Sequence, residues 1–579
     1  MSRNDEIARE LEAFADLLEA KGVEYKPRAY RRAAENVRDH TAAIDGLATE
    51  GEDAVAEIEA VGDAISAKIV EYVETGAIAE LETLREELPV EMEALTGVEG
   101  VGPKTVGRLY EELEVETLDD LEEAAEAGEI RELSGFGEKT ETNILDGIPF
   151  AREAHQRELL GMARPYGEAV CTYLEGISAV EQIALAGSIR RWKPTIGDVD
   201  VLVGSTDGET VIQAFTDWNE CDRILSAGTS KATIRADDIQ IDLRVVDPAE
   251  FGAALQYFTG SKNHNVAVRN RALDRELKVN EYGVFDVSNV SDPEEDQRIG
   301  ERVAGETEQD VYDAVGLSWV PPELRENRGE LAAAAADDLP ALVEPADILG
   351  DLHTHTTWSD GANSITEMVD AARQHGYEYL AITDHASGPG ILSGVGLDDA
   401  DIREQLEAIR AVDAESDITV LAGIEANIHE DGSVSVSDDV LAELDVVIAA
   451  PHSGLDGDGT ERLCTAARHS EVDFIAHPTG RRLNQRAGMN LDIAKLATTA
   501  AEHDTALEIN AHPRRLDLSG HPVKQAIEQG AQIVINTDAH APTGFDHMRF
   551  GVHTARRGWA TADDILNTAD TESLRALLR

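Results

Sequence analysis

Basic residues are scarce in this sequence. Its 579 residues include 50 lysines and arginines against 114 aspartates and glutamates, a formal net charge of −64. Such a balance excludes ordinary attraction to nucleic acid at low salt, because phosphate binding depends on cationic side chains. One explanation is a halophilic protein, since at molar salt the Debye length is about 3 Å and an acidic surface maintains solubility. The alternative, a protein that does not bind nucleic acid, has to be weighed against the motifs.

Cysteine and long apolar runs are also nearly absent. Three scattered cysteines, Cys171, Cys221 and Cys464, exclude a disulfide framework and are typical of a reducing cytoplasm. The N-terminus lacks the apolar core of a signal peptide, and no apolar stretch is long enough to span a membrane. We therefore expect a cytoplasmic protein that does not bind membranes, and the length suggests three or four domains.

Three carboxylates accompany a glycine turn in the middle of the chain. Asp198 and Asp200 lie two apart in a predicted strand, so both side chains face the same way and repel each other unless a divalent metal intervenes. A third, Asp242, lies in another alternating run. The turn at 187–188 offers backbone N–H groups to phosphates. This combination favours a two-metal phosphoryl-transfer site over a solvated strand with surface acids.

The Gly-Ser turn followed by Asp-hydrophobic-Asp resembles the nucleotidyltransferase signature. Residues 257–261, with Asn265 and Arg269, resemble the family X DNA polymerases, the group that contains DNA polymerase beta. The resemblance covers about the first 320 residues. It implies an α+β palm at 151–255 and a thumb for nucleotide selection at 256–322. It also implies Mg²⁺ or Mn²⁺ on the three catalytic acids.

The same resemblance assigns the residues that bind the incoming dNTP. It implies that Gly187, Ser188 and Arg191 hold the triphosphate at the turn. It also implies that Tyr257, Phe258 and Gly260 line the sugar. Asn265 and Arg269 would face the minor groove of the nascent pair. Two positions depart from the family. Gln240 stands where arginine is frequent near the primer end, and Val266 stands where animal members carry a basic residue.

Residues 1–88 are predicted to be helical, with an apolar stripe at helical spacing. Residues 58–69 resemble a helix-hairpin-helix, a turn that directs backbone N–H groups at a DNA phosphate, although Ala60 replaces its first glycine. The region resembles the lyase domain of DNA polymerase beta. This implies Lys68 as a Schiff-base lysine for a 5′-deoxyribose-phosphate lyase, with Lys26 and Tyr30 at the 5′-phosphate. An ordinary surface lysine is an equally good interpretation of Lys68.

Residues 89–150 contain two more hairpins, at 95–105 and 133–140. Glycine-hydrophobic-glycine permits the tight turn and the close approach of backbone to phosphate. As an internal repeat it is more specific than a single glycine pair, and it predicts DNA binding without sequence preference. The DNA-contacting residues of the three hairpins are predicted to be Gly62, Gly100, Gly102, Lys104, Gly135, Gly137 and Lys139. Residues 323–346, alanine-rich and acidic, are predicted to be a semi-rigid interdomain linker.

From residue 347 onward, short apolar strands alternate with helical stretches, and strand after strand ends in a residue that could bind metal. Seven βα units form a barrel, whose strand C-termini converge on one face. Imidazole and carboxylate ligands there suit Zn²⁺, Mn²⁺ or Fe. Arg481, Arg482, Arg514 and Arg515 follow strand ends, where they either grip phosphate or are solvated loop charges.

The region 347–579 resembles the polymerase-and-histidinol-phosphatase (PHP) family, with a distorted (β/α)7 barrel. The resemblance implies two or three transition metals with a metal-bridging hydroxide as nucleophile. Some PHP domains have lost ligands, and the complete set here argues for an active domain. The nine ligand positions are His353, His355, Asp360, His385, Glu425, His452, His477, Asp538 and His540.

Together the two resemblances match the bacterial and archaeal polymerase X architecture. They imply a monomeric multidomain enzyme of base excision repair. It would fill short gaps in nicked or gapped DNA with dNTPs, and its PHP domain would be a 3′–5′ exonuclease that processes 3′ ends. One alternative is a phosphoesterase delivered to DNA by a weakly active polymerase core. A second is a non-catalytic scaffold that binds broken DNA.

Overall fold

The structure is a computed structural model that describes residues 3–578 except 24, 40–43, 57, 59, 99, 156, 238, 294, 392 and 393. Glu59 and Glu99, inside two predicted hairpins, therefore lie outside the described residues. The chain divides into two compact units. Unit 1 comprises Met1–Gln156, Glu344–Val552 and Ala562–Arg579; unit 2 comprises Arg157–Val343 and His553–Thr561.

The first region of unit 1 is helical, as predicted. The apolar stripe of the first helix, including Ile7, Leu11 and Phe14, is buried in its core. The helices are α1 (Arg3–Ala20), α2 (Lys26–Asp39), α3 (Ile44–Glu50), α4 (Glu52–Val55), α5 (Asp63–Thr75), α6 (Ala79–Glu87), α7 (Met92–Thr96), α8 (Pro103–Leu113), α9 (Leu118–Glu126) and α10 (Glu138–His155).

Three turns in this region share one backbone conformation. Ala60, Gly100 and Gly135 each adopt a left-handed φ, of 59°, 83° and 87°, three residues before α5, α8 and α10. Gly62 and Gly102 then take nearly the same extended conformation at the helix N-caps. Ala60 thus keeps the hairpin geometry without glycine, at a cost of about 1–2 kcal/mol for an L-residue in that region.

The palm of unit 2 contains a five-stranded sheet in the order β2-β4-β7-β6-β5 among its described residues. Strands β4 and β7 are parallel and place Asp200 directly opposite Asp242. The elements are β1 (Glu158–Leu159), α11 (Leu160–Glu175), β2 (Gln182–Leu185), α12 (Gly187–Arg190), β3 (Thr195–Ile196), β4 (Val199–Gly204), α13 (Gly208–Thr216), β5 (Arg223–Ala227), β6 (Lys231–Ala236) and β7 (Ile239–Val246).

The thumb follows in the same unit. A small antiparallel sheet in the order β10-β9-β8 packs with helices around an apolar core. The elements are α14 (Phe251–Thr259), α15 (Lys262–Leu273), β8 (Leu277–Asn280), β9 (Gly283–Asp286), β10 (Glu301–Ala304), α16 (Glu308–Ala314) and α17 (Glu330–Ala336).

The segment predicted as a linker, 323–346, is partly packed into unit 2. Leu324, Ala334 and Leu342 join the apolar core of the thumb. Arg325 is fully buried and lies 2.6 Å from the carboxylate of Glu308. The alanine-rich composition suggested a spacer because neither the core contacts nor this distant ion pair is visible in local sequence.

Residues 553–561, far along the chain, complete unit 2. The His553 ring stacks on Trp192 at 3.6 Å, and His553 and Arg556 lie 2.7 and 2.8 Å from Glu323. Burial alone would raise the pKa of Glu323, but the hydrogen bond from His553 and the charge of Arg556 lower it to about 2. Glu323 is therefore a buried anion that depends on partners more than 200 residues away in sequence.

The second region of unit 1 is the predicted barrel. Its described strands form a seven-stranded parallel sheet in sequence order, and a parallel bridge between Thr354 and Ala539 joins its two ends. The elements are β11 (Gly350–Asp351), α18 (Ile365–His375), β12 (Tyr379–Ile382), α19 (Asp399–Asp413), β13 (Thr419–Asn427), α20 (Asp438–Leu441), β14 (Val446–Ala450), α21 (Thr460–Ala467), β15 (Phe474–Ile475), α22 (Ile493–Glu502), β16 (Ala506–Asn510), α23 (Gly520–Glu528), β17 (Ile533–Asn536), α24 (Met548–Arg557) and α25 (Thr571–Leu577).

The three cysteines, Cys171, Cys221 and Cys464, are free thiols. Within the described part of the chain, every helix is too short or too polar to cross a bilayer.

Candidate metal centres

Three carboxylates meet at the end of the paired palm strands. Oxygen atoms of Asp198, Asp200 and Asp242 all lie within 4.8 Å of one another. Burial, and then the charges of Asp198 and Asp242, raise the pKa of Asp200 to about 7. Burial, and then Asp242, also raise the pKa of Asp198. The three carboxylates repel one another, so a bound cation would stabilise the cluster. Their oxygen atoms suit a hard divalent cation.

The glycine turn lies directly against these acids. A Cβ atom at Gly187 would sit 1.9 Å from Oδ2 of Asp200, and its φ is +58°. The N–H of Ala186 donates to the Asp200 carbonyl at 2.8 Å. Only glycine therefore allows the turn, which carries Ser188 at the start of α12, to approach the carboxylate this closely.

Two partners of Asp242 were not predicted. It accepts a hydrogen bond from the Thr233 hydroxyl and one of 3.3 Å from the Gln240 amide. Thr233 lies opposite Asp242 in the β6–β7 register, so strand alternation could have revealed it. Lys231, on the same strand, lines a pocket of about 120 Å³ with Asp200 and Asp242. Gln240, a departure from the family pattern, thus contacts the third acid directly.

The structure also brings several predicted nucleotide-binding residues together. The Asn265 amide donates to the Tyr257 carbonyl at 2.7 Å, and the Arg269 guanidinium lies 5.2 Å from the Tyr257 ring centre. Tyr257 and Phe258 pack edge to face with ring centres 5.0 Å apart.

Arg191 contacts the same loop. Its guanidinium donates to the Thr259 carbonyl, next to Gly260, and its Nε lies 3.2 Å from Glu326. The turn at the acids and the end of α14 are therefore joined through one arginine.

The predicted lyase lysine lies in a partly buried place. Lys68 Nζ is 2.5 Å from Glu80 and 5.0 Å from the Phe14 ring centre, and 15% of its side chain is exposed. Phe14 also contacts Tyr30. Burial, and then Glu80, raise the pKa of Tyr30 to about 12. Tyr30 is thus a core residue, whereas Lys26 is exposed at the start of α2.

The predicted hairpin lysines are exposed. Lys104 and Lys139 are each the second residue of their helices, α8 and α10. Gly62 and Gly102 cap α5 and α8 without a side-chain acceptor among the described residues. The first N–H groups of α5 and α8 therefore lack a side-chain cap that would compete with a phosphate.

The barrel positions its predicted ligands around one carboxylate. Glu425, on β13, is fully buried. Its Oε1 lies 3.0 Å from His477 and 3.3 Å from His452, and its Oε2 lies 2.5 Å from His385. His353 is 3.5 Å from the same side chain.

These residues form three overlapping groups, and Asp538 lies 3.1 Å from His355 beside them. The groups whose ligand atoms lie within 4.8 Å are His355, Asp360, His385 and His540; His353, His355 and Glu425; and His385, Glu425 and His452. All nine positions predicted from the sequence thus converge at the barrel's C-terminal face.

Several ligand atoms at this face are buried without a hydrogen-bond partner among the described residues. They include Nε2 of His353, Nδ1 of His355 and Nδ1 of His477. Burial, and then the charges of His540 and His385, lower the pKa of His355 to about 3, which favours the neutral ring that metal binding requires, whereas the pKa of His385 and that of His540 are raised by nearby carboxylates against the effect of burial. A buried polar atom without a partner costs free energy of folding, and a bound metal would remove that cost. The residues present therefore fit bound transition metals.

Residues that orient these ligands were missed by the sequence analysis. Glu508 Oε1 lies 2.8 Å from Nδ1 of His353, and Asn427 Oδ1 lies 2.7 Å from Nδ1 of His452. Each interaction leaves the other ring nitrogen directed at the centre. Glu508 is two residues before Asn510 on β16, so alternation along that strand was the available signal.

The loop arginines differ in their surroundings. Arg481 is engaged with the backbone carbonyls of Arg515 and Leu516, so it stabilises the loop. Arg515 lies 3.6 Å from Asp538, at the edge of the ligand cluster.

An acidic triad on paired strands beside a glycine turn, together with a parallel barrel ending in nine ligand positions, defines the class: a metal-dependent nucleotidyltransferase joined to a phosphoesterase. Family comparisons agree. Residues 2–78 match the helix-hairpin-helix domain, 92–148 the SAM-like helix-hairpin-helix tandem, 254–326 the DNA polymerase beta thumb and 351–512 the PHP domain.

Among relatives, the chain is 34% identical over 582 residues to the DNA polymerase/3'-5' exonuclease PolX of Bacillus subtilis (strain 168), covering 99% of both chains. It is 24% identical over 342 residues to DNA polymerase lambda of Rattus norvegicus, covering 56% of each chain. A probable phosphatase of Shewanella sp. (strain MR-4) is 32% identical over 213 residues, 34% of this chain and 79% of the relative.

The chain therefore belongs to the family X DNA polymerases that carry a C-terminal PHP domain. It is a DNA-binding, metal-dependent enzyme with a polymerase core and a phosphoesterase domain. The family and the fold class predicted from the sequence are confirmed.

Proposed function

We propose that this enzyme fills short gaps during DNA repair and that its PHP domain removes nucleotides or blocking groups from 3′ ends. The observation that carries this proposal is the presence of two separate sets of converging metal ligands, one in the palm and one in the barrel. The Bacillus relative is named a DNA polymerase/3'-5' exonuclease and the rat relative a DNA polymerase, and both names support the proposal. Its substrates would be gapped or nicked DNA and dNTPs, bound by a monomer in the cytoplasm.

In the palm, Asp198 and Asp200 would hold Mg²⁺ or Mn²⁺ with Asp242, and Asp242 would accept the proton of the primer 3′-hydroxyl. The glycine turn explains how Ser188 and Arg191 would reach the triphosphate, because Gly187 brings that turn onto Asp200.

At the end of α14, the sugar and base of the nucleotide would be recognised. Tyr257, Phe258 and Gly260 would line the sugar. Asn265 and Arg269 already contact Tyr257, and would face the minor groove.

In the barrel, the nine predicted ligands would hold two or three ions of zinc, manganese or iron. Bound metals would supply a water of lowered pKa and would neutralise charge on the phosphodiester. The protein's own part is to keep His353 and His452 oriented through Glu508 and Asn427. Glu425 would be a central ligand, because both of its oxygens face proposed ligand histidines.

The proposed domain boundaries follow the sequence prediction, with 1–88 lyase-like, 89–150 fingers-like, 151–255 palm, 256–322 thumb and 347–579 PHP. Segment 323–346 would connect the thumb to the barrel as an ordered strap, since it packs into unit 2 up to Val343.

A phosphoesterase delivered to DNA by a weak polymerase core is the second candidate. The similarity to probable phosphatases over about a third of the chain favours it. Gap filling that persists after loss of the PHP ligands would rule it out.

We expect gap filling to require high salt. The net charge of −64 opposes DNA binding until counter-ions screen it, so extension of a gapped substrate with Mg²⁺ or Mn²⁺ should rise towards molar KCl. An uncharged osmolyte at equal osmolality is the control, because it leaves charges unscreened. Highest activity and stability at ~50 mM KCl, where most DNA-binding proteins bind best, would refute halophilic adaptation.

We expect Lys68 to form a Schiff base with a 5′-deoxyribose-phosphate end. Borohydride should trap wild type but not Lys68→Ala. Because Lys68 Nζ donates a hydrogen bond to Glu80 at 2.5 Å, Glu80→Gln should release the amine from this ion pair and increase the trapped fraction. Lys21→Ala, which removes another lysine paired with a glutamate in this region, is the matched control. Equal trapping by Lys68→Ala would transfer the role to another amine.

A further inference from the structure

A large cavity lies within unit 1, between the helical region and the ligand face of the barrel. Its volume is about 1130 Å³. The floor includes Asp360, His385, His452 and His540, which belong to the proposed metal centre. The opposite wall is formed by residues of the helical region, which are not part of the barrel.

The helical wall contains one of the glycine hairpins. Thr96, Gly97 and Val98 line the cavity, and so do the turn residues 100–102. A Cβ atom at Gly100 or Gly102 would meet nothing within 4 Å, so this turn is open to the space in front of it. Its N-cap backbone is of the kind that binds phosphate.

The residues that line the cavity have a charge balance opposite to that of the whole chain. The helical wall contributes Arg28, Arg31 and Arg32 from α2. The chain as a whole has more than two acids for each basic residue, yet among the described residues that line the cavity only Glu12 and Asp146 are acidic apart from the proposed metal ligands.

The barrel loops add further arginines to the same cavity, Arg482, Arg486, Arg514 and Arg515. Arg514 lies 3.8 Å from Glu12, so a barrel loop and α1 meet at the cavity wall. A local positive field above a phosphoesterase centre is what a polyanionic substrate requires, and it is retained against a strongly acidic background.

We infer that this cavity binds a single-stranded nucleic-acid segment and that the helical region forms part of the nuclease site. The turn at 100–102 and Arg28 would hold phosphates upstream of the terminal phosphodiester, which lies at the metal ligands. Pockets of about 300–1,000 Å³ hold a drug-sized ligand, so this volume takes a few nucleotides and excludes a duplex. The inference rests on the proposed nuclease function of the barrel.

Arg28→Glu in the full-length protein tests this inference. Arg28 is exposed on α2, so its replacement leaves the core intact. Arg9→Glu, an exposed arginine of α1 outside the cavity lining, is the matched control for the change in net charge. Both variants are compared with wild type on a 3′-labelled single-stranded oligonucleotide and on bis(4-nitrophenyl) phosphate, at the lowest KCl that preserves the fold.

For Arg28→Glu we expect kcat/KM on the oligonucleotide to fall about tenfold, mainly through KM, because a charged phosphate contact is lost. Hydrolysis of the small diester should be unchanged, since it does not reach the helical wall. Arg9→Glu should leave both substrates unaffected. Unchanged oligonucleotide hydrolysis by Arg28→Glu, or parallel loss on both substrates, would overturn the inference.

A direct binding measurement separates this inference from the proposed activity. If wild type hydrolyses neither substrate, the nuclease proposal fails. Fluorescence anisotropy of a labelled single strand then tests whether the cavity binds the strand. An approximately tenfold rise in Kd for Arg28→Glu alone supports the inference, and an unchanged Kd overturns it.

Discussion

Asp242→Ala is expected to abolish nucleotide addition, lowering single-nucleotide gap filling by at least about 10³-fold. The carboxylate is the acceptor proposed for the primer proton and one of three oxygens within 4.8 Å. Its loss removes both charge and proton acceptor from the reacting site. The measurement is incorporation into a one-nucleotide gap with Mg²⁺, alongside a gel-shift assay of DNA binding, which should be nearly unchanged.

Asp242→Asn, which preserves shape, should behave like the alanine variant if the charge is what matters. Glu209→Ala, an exposed acid on α13 of the same palm, is the matched control and should retain activity. Normal extension by Asp242→Ala would remove this residue from the reaction.

His353→Ala combined with His355→Ala should eliminate 3′–5′ nuclease activity and bound transition metal, while gap filling persists. Both rings are fully buried, and together they belong to two of the three ligand groups. Their removal leaves Glu425 with fewer histidine ligands around it, so metal affinity should collapse. Metal content by mass spectrometry and digestion of a 3′-labelled strand with Mn²⁺ provide the two measurements.

The double substitution removes two buried side chains and can by itself prevent folding. A second variant separates loss of metal from misfolding. Asp360→Asn alters a ligand that is about a third exposed and should also reduce metal content. His521→Ala, an exposed histidine on α23, is the control. Wild-type preparations with no transition metal and no nuclease activity would mark the domain as structural. Joint loss of gap filling would mean that the two centres are not independent.

The family, the barrel and the convergence of the nine proposed ligands could be predicted because their signals are local. The nine proposed PHP ligands lie within or just after strands β11–β15 and β17, so alternation of strands and helices already places them at the common face. Asp198 and Asp200 needed only the two-residue period of a strand. Even the first hairpin was visible, although Ala60 stands where the motif has its first glycine; the left-handed backbone of Ala60 appears only in the structure.

The remaining features depend on contacts between distant residues. Glu508 becomes a partner of His353 only when the barrel closes. The cavity exists because α2 faces the barrel loops, which no periodicity indicates. The ion pair between Arg325, in the predicted linker, and Glu308 was not visible for the same reason, since the two meet only in the folded thumb.

The dependence of Glu323 on His553 and Arg556 has a consequence for synthesis on the ribosome. Residues 157–343 emerge about 200 residues before those partners, roughly 10–40 s earlier at about 5–20 residues per second. During that interval the nascent palm and thumb lack the two partners of Glu323, and a broken buried pair costs about 3–5 kcal/mol. The polymerase unit therefore reaches its final stability only after nearly the whole message has been translated, and a gene cut at residue 346 would encode a fragment that never does.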